Sequence, residues 1–243
     1  MKQLLHILYQ PYKWLFFLFL ILNTLFFGTL AIVLSVFINQ KISGYCGTAW
    51  ARLNSFFTPM LVSVSGKENI QKNTSYIIVP NHQSYYDIFL IYGWLGMFIR
   101  WVMKIELRKV PVFGYCCEKM GHIYIDRSST QAAIDSLNAA KDDLADGSSI
   151  IMFPEGTRNS TNTLLPFKKG AFRMALDLGI PLLPITIMGT KDILPTKSLN
   201  LFPGKVKMIV HPPVDIKKYG QEDMEKLMAD VKVIIEGPLK QAN

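Results

Sequence analysis

The stretch "YIIVPNHQSYYDIFL", residues 76–90, decides how the chain is read. Tyr76 to Pro80 form a short apolar run rich in β-branched residues, the texture of a strand covered on both faces. Residues 81–85 are polar turn formers, and an apolar helical stretch follows. A buried strand that passes through a short turn into a helix is the repeating unit of α/β sheets, whose sites gather at the carboxyl ends of strands.

Working outward, the same texture recurs. "IRWVM" (99–103), "HIYI" (122–125), "SIIMF" (149–153), "PLLPITI" (181–187) and "KVKMIV" (205–210) read as strands. Residues 129–146 and 168–178 have helical spacing, with Ser128 or Ser129 as a cap. A last helix over 221–236 is expected to stop before Gly237-Pro238. The expectation is an α/β fold: a mixed sheet flanked by helices, preceded by an N-terminal membrane-associated two-helix element.

That element rests on "WLFFLFLILNTLFFGTLAIVLSVFI", Trp14 to Ile38, 25 residues without a charge between Lys13 and Lys41. About 20 apolar residues cover a hydrocarbon core of about 30 Å. A cleaved signal peptide is the rival, but its apolar part runs to only about 7–15 residues. "ISGYCGTAWARLNSFFTPMLVSV" (42–64) reads as a second, amphipathic helix ending near Pro59. The boundary therefore falls between an anchoring segment, 1–64, and a catalytic domain, 65–243. Residues 1–63 contain Lys2, Lys13, Lys41 and Arg52 and no acid, so they hold +4 of the chain's +8. Cations beside apolar segments are drawn to anionic headgroups. With lysines at both flanks, the helix either crosses the bilayer or enters one leaflet.

Three cysteines, Cys46, Cys116 and Cys117, have neither a disulfide framework nor metal-ligand spacing and read as small buried apolar residues. They fit a reducing, cytosol-facing location. Nothing in the composition calls for nucleic acid.

Within the opening stretch, His82 and Asp87 stand five residues apart. On a regular helix that separates them by about 140°, so they meet only if His82 lies in the turn and Asp87 in the first helical turn. Ser84, three residues before Asp87, makes this geometry available as an N-cap. Two readings follow: a catalytic pair at a strand-to-helix loop, or a capping arrangement in which Asp87 complements the helix dipole.

A second motif, "FPEGTR" (153–158), also leaves a strand. Gly156 lets a ligand approach the backbone. Arg158 offers a fork of donors for phosphate oxygens, Thr157 a hydroxyl, and Glu155 an acceptor. A surface turn with a solvated ion pair is the plain alternative.

The two motifs together resemble the glycerolipid acyltransferase family, specifically the 1-acylglycerol-3-phosphate acyltransferases. "KIELRKVPVFG" matches a further block of that family through Lys104, Leu107, Pro111 and Gly114, and "IPLLPI" another through Pro181 and Pro184. "IYIDR" (123–127) and "LLPFKKGAF" (164–172) also fit. The resemblance covers about residues 76–190 in the family's order. Asn159 stands where many relatives have serine, away from the chemistry.

The resemblance implies transfer of a fatty acyl group from acyl-CoA or acyl carrier protein to the 2-hydroxyl of lysophosphatidic acid, giving phosphatidic acid. It makes His82 the general base, Asp87 its orienter, and Glu155, Gly156, Thr157 and Arg158 the phosphate-binding loop. Lys104 and Arg127 are added as further phosphate or oxyanion contacts. An imidazole, with its ordinary pKa of about 6.5, suits removal of an alcohol proton during attack. The substrate brings the hydroxyl, so Ser84 reads as a cap and neither cofactor nor metal is called for. Lys168 and Lys169 read as at least partly a solvated face, and His6, His122 and His211 as structural. The implied partners are a membrane lipid acceptor, the thioester donor and the membrane surface, with the catalytic domain on the cytoplasmic face. The rivals are a different lysolipid acceptor, a hydrolase with His82 and Asp87 as metal ligands, and a non-catalytic adaptor for acidic lipid.

Overall fold

The computed structural model describes residues 2–241 apart from 127, 130, 133–134, 136–147 and 162. Seven strands build one sheet in the order β1-β7-β6-β2-β5-β3-β4. They are β1 (Met60–Ser65), β2 (Ile77–Pro80), β3 (Ile99–Lys104), β4 (Ile123–Ile125), β5 (Ser149–Ile151), β6 (Leu182–Met188) and β7 (Gly204–Val210). All neighbours run parallel except β6 and β7, which makes the sheet mixed. The helices are α1 (Lys2–Phe37), α2 (Gln40–Phe57), α3 (Tyr86–Trp94), α4 (Phe113–Lys119), α5 (Gly170–Leu178), α6 (Thr190–Ile193) and α7 (Met224–Gln241).

β2 is the hub. It lies between β6 and β5, and all four of its residues are buried. Because side chains alternate across a strand, Ile78 joins the core under α3 with Leu90 and Ile91. Ile77 and Val79 join the opposite core with Phe172, Leu227 and Val231. The expected reading of a two-face-covered strand is what the packing shows.

Three boundaries differ from the expected ones. The second helix ends at Phe57, next to the expected stop at Pro59, but residues 60–64 belong to β1, so the sheet takes up the end of the segment assigned to the anchor. Pro59 cannot continue a helix, and the alternating "MLVSVS" finds a parallel partner from Met60↔Gly204 to Ser65↔Ile209. The last helix begins at Met224 and runs through Gly237-Pro238 to Gln241. Leu227, Val231, Ile235 and Leu239 recur every fourth residue on its buried side, and burying Leu239 holds the final turn despite the proline. The helix expected over 129–146 lies largely outside the described residues.

α1 and α2 form an antiparallel-type hairpin turned by Asn39, whose side chain accepts from the Ile42 N–H at 2.8 Å. Polar bonds lock the pair: Asn23 Nδ2 donates to the Trp50 carbonyl at 3.3 Å and Trp50 Nε1 to Thr24 Oγ1 at 2.9 Å. One face of α1 packs on the domain, burying Phe16 and Ala31, and the other face is exposed. Pro11–Phe37 has a mean hydropathy of 2.4, yet only 11% of its most apolar window is buried, whereas a core helix would be mostly buried. It is the one helix among the described residues long and apolar enough to cross a membrane.

Candidate active site

The parallel strands β2, β3, β5 and β6 bring their carboxyl ends to one rim of the sheet. His82 follows β2, Lys104 ends β3, Phe153 to Arg158 follow β5, and Thr190 follows β6.

His82 lies in the turn and Asp87 in the first turn of α3. They meet, with Nδ1 2.6 Å from Asp87 Oδ2. Asp87 is fully buried and its two oxygens are bound by four donors. Oδ2 accepts from the His82 ring, the Gln83 N–H (2.7 Å) and the Ser84 N–H (3.0 Å); Oδ1 accepts from the Thr190 hydroxyl at 2.5 Å. A carboxylate only accepts, so the ring proton sits on Nδ1 and Nε2 is left as the acceptor. The imidazole is stacked on Phe153 at 3.7 Å between centroids, which fixes the ring plane. The cap and the pair are one structure: Asp87 binds the Ser84 N–H as a capping residue would while it holds His82. The Ser84 hydroxyl donates to the Leu194 carbonyl at 2.7 Å; it is buried and does not line the cavity.

The second motif stitches itself to the first. Glu155 Oε1 accepts the His82 N–H at 2.9 Å, and the Asn159 N–H donates to the His82 carbonyl at 2.7 Å. Both main-chain polar groups of His82 are thus held by the loop after β5. Glu155 Oε2 accepts the Leu165 N–H at 3.0 Å. Its carboxyl is buried, and that burial pushes its pKa up, partly offset by these bonds. Read from sequence as part of the phosphate loop, Glu155 instead turns inward and braces the two loops. Its motif neighbours differ: Gly156, Thr157 and Arg158 line the same cavity as His82. Gly156 has φ +71°, and a Cβ there would lie 2.7 Å from Lys168 Cε, so the Lys168 chain lies over this turn. The Arg158 guanidinium stacks on the Tyr85 ring at 3.5 Å. Lys104 lines the cavity, whereas Lys169 is in an exposed pair with Glu225. Arg127 lies outside the described residues.

The cavity encloses about 490 Å³. Met103, Cys116, Met120 and Phe153 contribute to its wall, and Phe27, Gly28 and Ala31 of α1 with Cys46 and Gly47 of α2 complete it. The helices that expose apolar surface therefore also line the site. All three cysteines are buried, and burial raises the thiols of Cys116 and Cys117 to about 11 and about 12, so both stay protonated. His211 bonds Thr186 Oγ1 at 2.8 Å, away from the cavity. Among the described residues no group of three His, Cys, Asp or Glu side chains is placed to hold a metal.

Thr190 and the bracing role of Glu155 escaped the sequence reading. Thr190 stands 103 residues from Asp87. The available signal was its place just after Gly189 at the carboxyl end of β6, the same rim rule that singles out the other loops.

A family model described as Acyltransferase matches residues 61–188, and the chain belongs to that family. Among curated relatives, the 1-acyl-sn-glycerol-3-phosphate acyltransferase BAT2, chloroplastic, of Brassica napus is 34% identical over 177 residues, 72% of this chain and 51% of its own length. That of Borreliella burgdorferi is 30% identical over 190 residues, 76% of this chain and 74% of its own. The chain thus spans about half the length of the chloroplast relatives it matches. The crystal structure of the 1-acyl-sn-glycerophosphate (LPA) acyltransferase PlsC from Thermotoga maritima superposes with a TM-score of 0.81 at 28% identity, over 99% of this chain and 98% of that one.

Proposed function

We propose that this chain transfers a fatty acyl group from a thioester, on coenzyme A or acyl carrier protein, to the 2-hydroxyl of 1-acylglycerol-3-phosphate. The observation that carries the reading is the His82–Asp87 pair, its free Nε2 bordering an apolar cavity that Arg158 also lines. In the proposed step, Nε2 takes the proton of the acceptor hydroxyl as its oxygen attacks the thioester carbonyl carbon. Asp87, bound by four donors, keeps the ring in the required tautomer and stabilises the imidazolium that forms. The tetrahedral intermediate then expels the thiolate, which receives that proton from the imidazolium. The ester remains and the catalyst is restored. Arg158 supplies a two-donor grip on the acceptor's phosphate, with Gly156 and Thr157 beside it; Lys104, Lys168 and Arg127 are further cationic contacts. Glu155 acts through His82, as a brace.

The apolar cavity suits the acyl chain, and the exposed apolar face of α1 suits a bilayer, from which both acceptor and product are drawn laterally. We place α1 and α2 in the membrane as the anchor and the remainder as the catalytic domain on the cytoplasmic face. A phosphate-free lysolipid acceptor is the second reading, and it would depend less on Arg158.

The test is a radiolabel assay with membranes carrying wild type or His82→Ala, given acyl thioester and lysophosphatidic acid. Phosphatidic acid from wild type, reduced roughly 100- to 10,000-fold in the variant at unchanged folding, is expected. Equal product above background from both proteins would sink the mechanism.

A further inference from the structure

Arg158 is held by its face and left free at its edge. Its Cζ lies 3.5 Å from the centroid of the Tyr85 ring, whereas the other described cations over rings stand off at 5.3–5.9 Å. A guanidinium set upright at 3.5 Å would press a nitrogen into the ring, so the two planes are stacked. Stacking uses the flat face of the head and leaves its N–H donors pointing outward in the plane. Arg158 gives none of them to the protein, making no hydrogen bond and no ion pair with any described residue. Arg100, by contrast, gives its donors to Ser148, Gly121 and Gln40, and Arg108 gives its own to Glu118.

The ring that holds Arg158 is itself fixed. Tyr85 stands three residues after His82, in the turn whose Gln83 and Ser84 N–H groups bind Asp87, and its carbonyl accepts the Ile88 N–H at 3.2 Å. The ring does little for the fold: it is 55% exposed, and its hydroxyl bonds no described residue. From the other side, Asn159, next in the chain after Arg158, donates its N–H to the His82 carbonyl at 2.7 Å. The main chain therefore sets where Arg158 begins, and the Tyr85 ring sets where its head ends. Without the ring, the side-chain torsions would be free and their entropy would be lost each time an anion was gripped. His82, Tyr85 and Arg158 all line the one cavity.

We propose that Tyr85 is a positioning residue for the acceptor lipid: it holds the Arg158 fork at a set reach from His82 Nε2, so that the phosphate docks with the acceptor's hydroxyl at the base. The inference rests on the acyl-transfer reading above and adds to it the group that readies the phosphate grip. Tyr85 touches neither the reacting atoms nor the phosphate and acts only through Arg158.

Steady-state kinetics on the full-length protein, in detergent micelles carrying lysophosphatidic acid, test it. Tyr85→Leu should raise KM for lysophosphatidic acid roughly 3- to 30-fold, the range of a guanidinium–ring contact, with kcat and the KM of the thioester donor little changed. Tyr85→Phe should behave as wild type, because the ring face is what the contact uses. In an Arg158→Ala background, Tyr85→Leu should add nothing, since the two changes remove one interaction. An unchanged acceptor KM in Tyr85→Leu overturns the inference, as does a full effect of Tyr85→Leu when Arg158 is already alanine; acyl transfer survives both results. Loss in Tyr85→Phe equal to that in Tyr85→Leu assigns the effect to the hydroxyl and overturns the stacking account. Absence of phosphatidic acid from wild type is the separate failure of the acyl-transfer reading, and the inference falls with it.

Discussion

At the scale of single residues, the candidate centre is over-determined. Asp87 is fixed by donors from its own turn and by one hydroxyl from a distant strand end. Thr190→Val leaves Asp87 Oδ1 as a buried acceptor without that partner. We expect kcat to fall about tenfold with little change in KM, and Thr190→Ser to restore it; steady-state kinetics of the two variants decide between positioning and mere packing. His122 gives a pH prediction. Its folded pKa of about 3 lies below the unfolded value of about 6.5, so the unfolded chain takes up the proton first. Its contribution to stability is complete above about pH 6.5 and is lost progressively as pH falls toward 3. Between pH 6.5 and 4.5 the wild type should lose about 2 kcal/mol more unfolding free energy than His122→Gln, read from denaturant melts. The His82–Asp87 contact was legible as one of two readings of a five-residue spacing across a turn, and the resemblance to a family chose between them. Thr190 was not, since a hydroxyl among many threonines acquires meaning only once β6 is placed beside β2.

At the scale of elements, most strands were legible as short β-branched runs, and the misses have one cause. Where local signals competed with burial, burial won: β1 formed because β7 offers it a partner, and α7 passed Pro238 because Leu239 has a core site to fill. Glycines show the same dependence on surroundings. A Cβ on Gly114 would lie 2.1 Å from the Arg108 carbonyl oxygen, whereas one on Gly237 meets nothing within 4 Å. Gly114→Ala must push apart the segment joining β3 to α4, near the Lys104, Leu107 and Phe113 that line the cavity; a loss of about 1–3 kcal/mol and reduced turnover are expected. Gly237→Ala, inside α7, adds about 0.5–1 kcal/mol of helix propensity but sets a Cβ against the ring of Pro238, so little net change is expected. Thermal melts of the two variants side by side check the contrast.

At the scale of the whole molecule, the candidate site and the bare apolar helix are not separate modules, because α1 and α2 form part of the cavity wall. Leu22 and Phe26 face outward from α1 at 57% and 63% exposure. Replacing both with glutamate should move the protein from the floating to the soluble fraction in vesicle flotation, since a charge within hydrocarbon costs about 2.5–3.5 kcal/mol on insertion scales. The long apolar N-terminal helix and the α/β layering were both legible from sequence; that they share a cavity was not, because contact between distant segments leaves no local pattern. The sheet order has a further consequence, for the birth of the chain. β1 is the first strand to be synthesised, yet its neighbour β7 begins at Gly204. While the ribosome works through the intervening residues, the apolar α1 is already synthesised and an unpaired strand follows the helix pair. Such long-range pairing is slow and exposes strand edges to aggregation. With α1 at a bilayer, as proposed above, the nascent chain would be tethered at a surface, and those edges would be kept away from other chains until the last strand arrives.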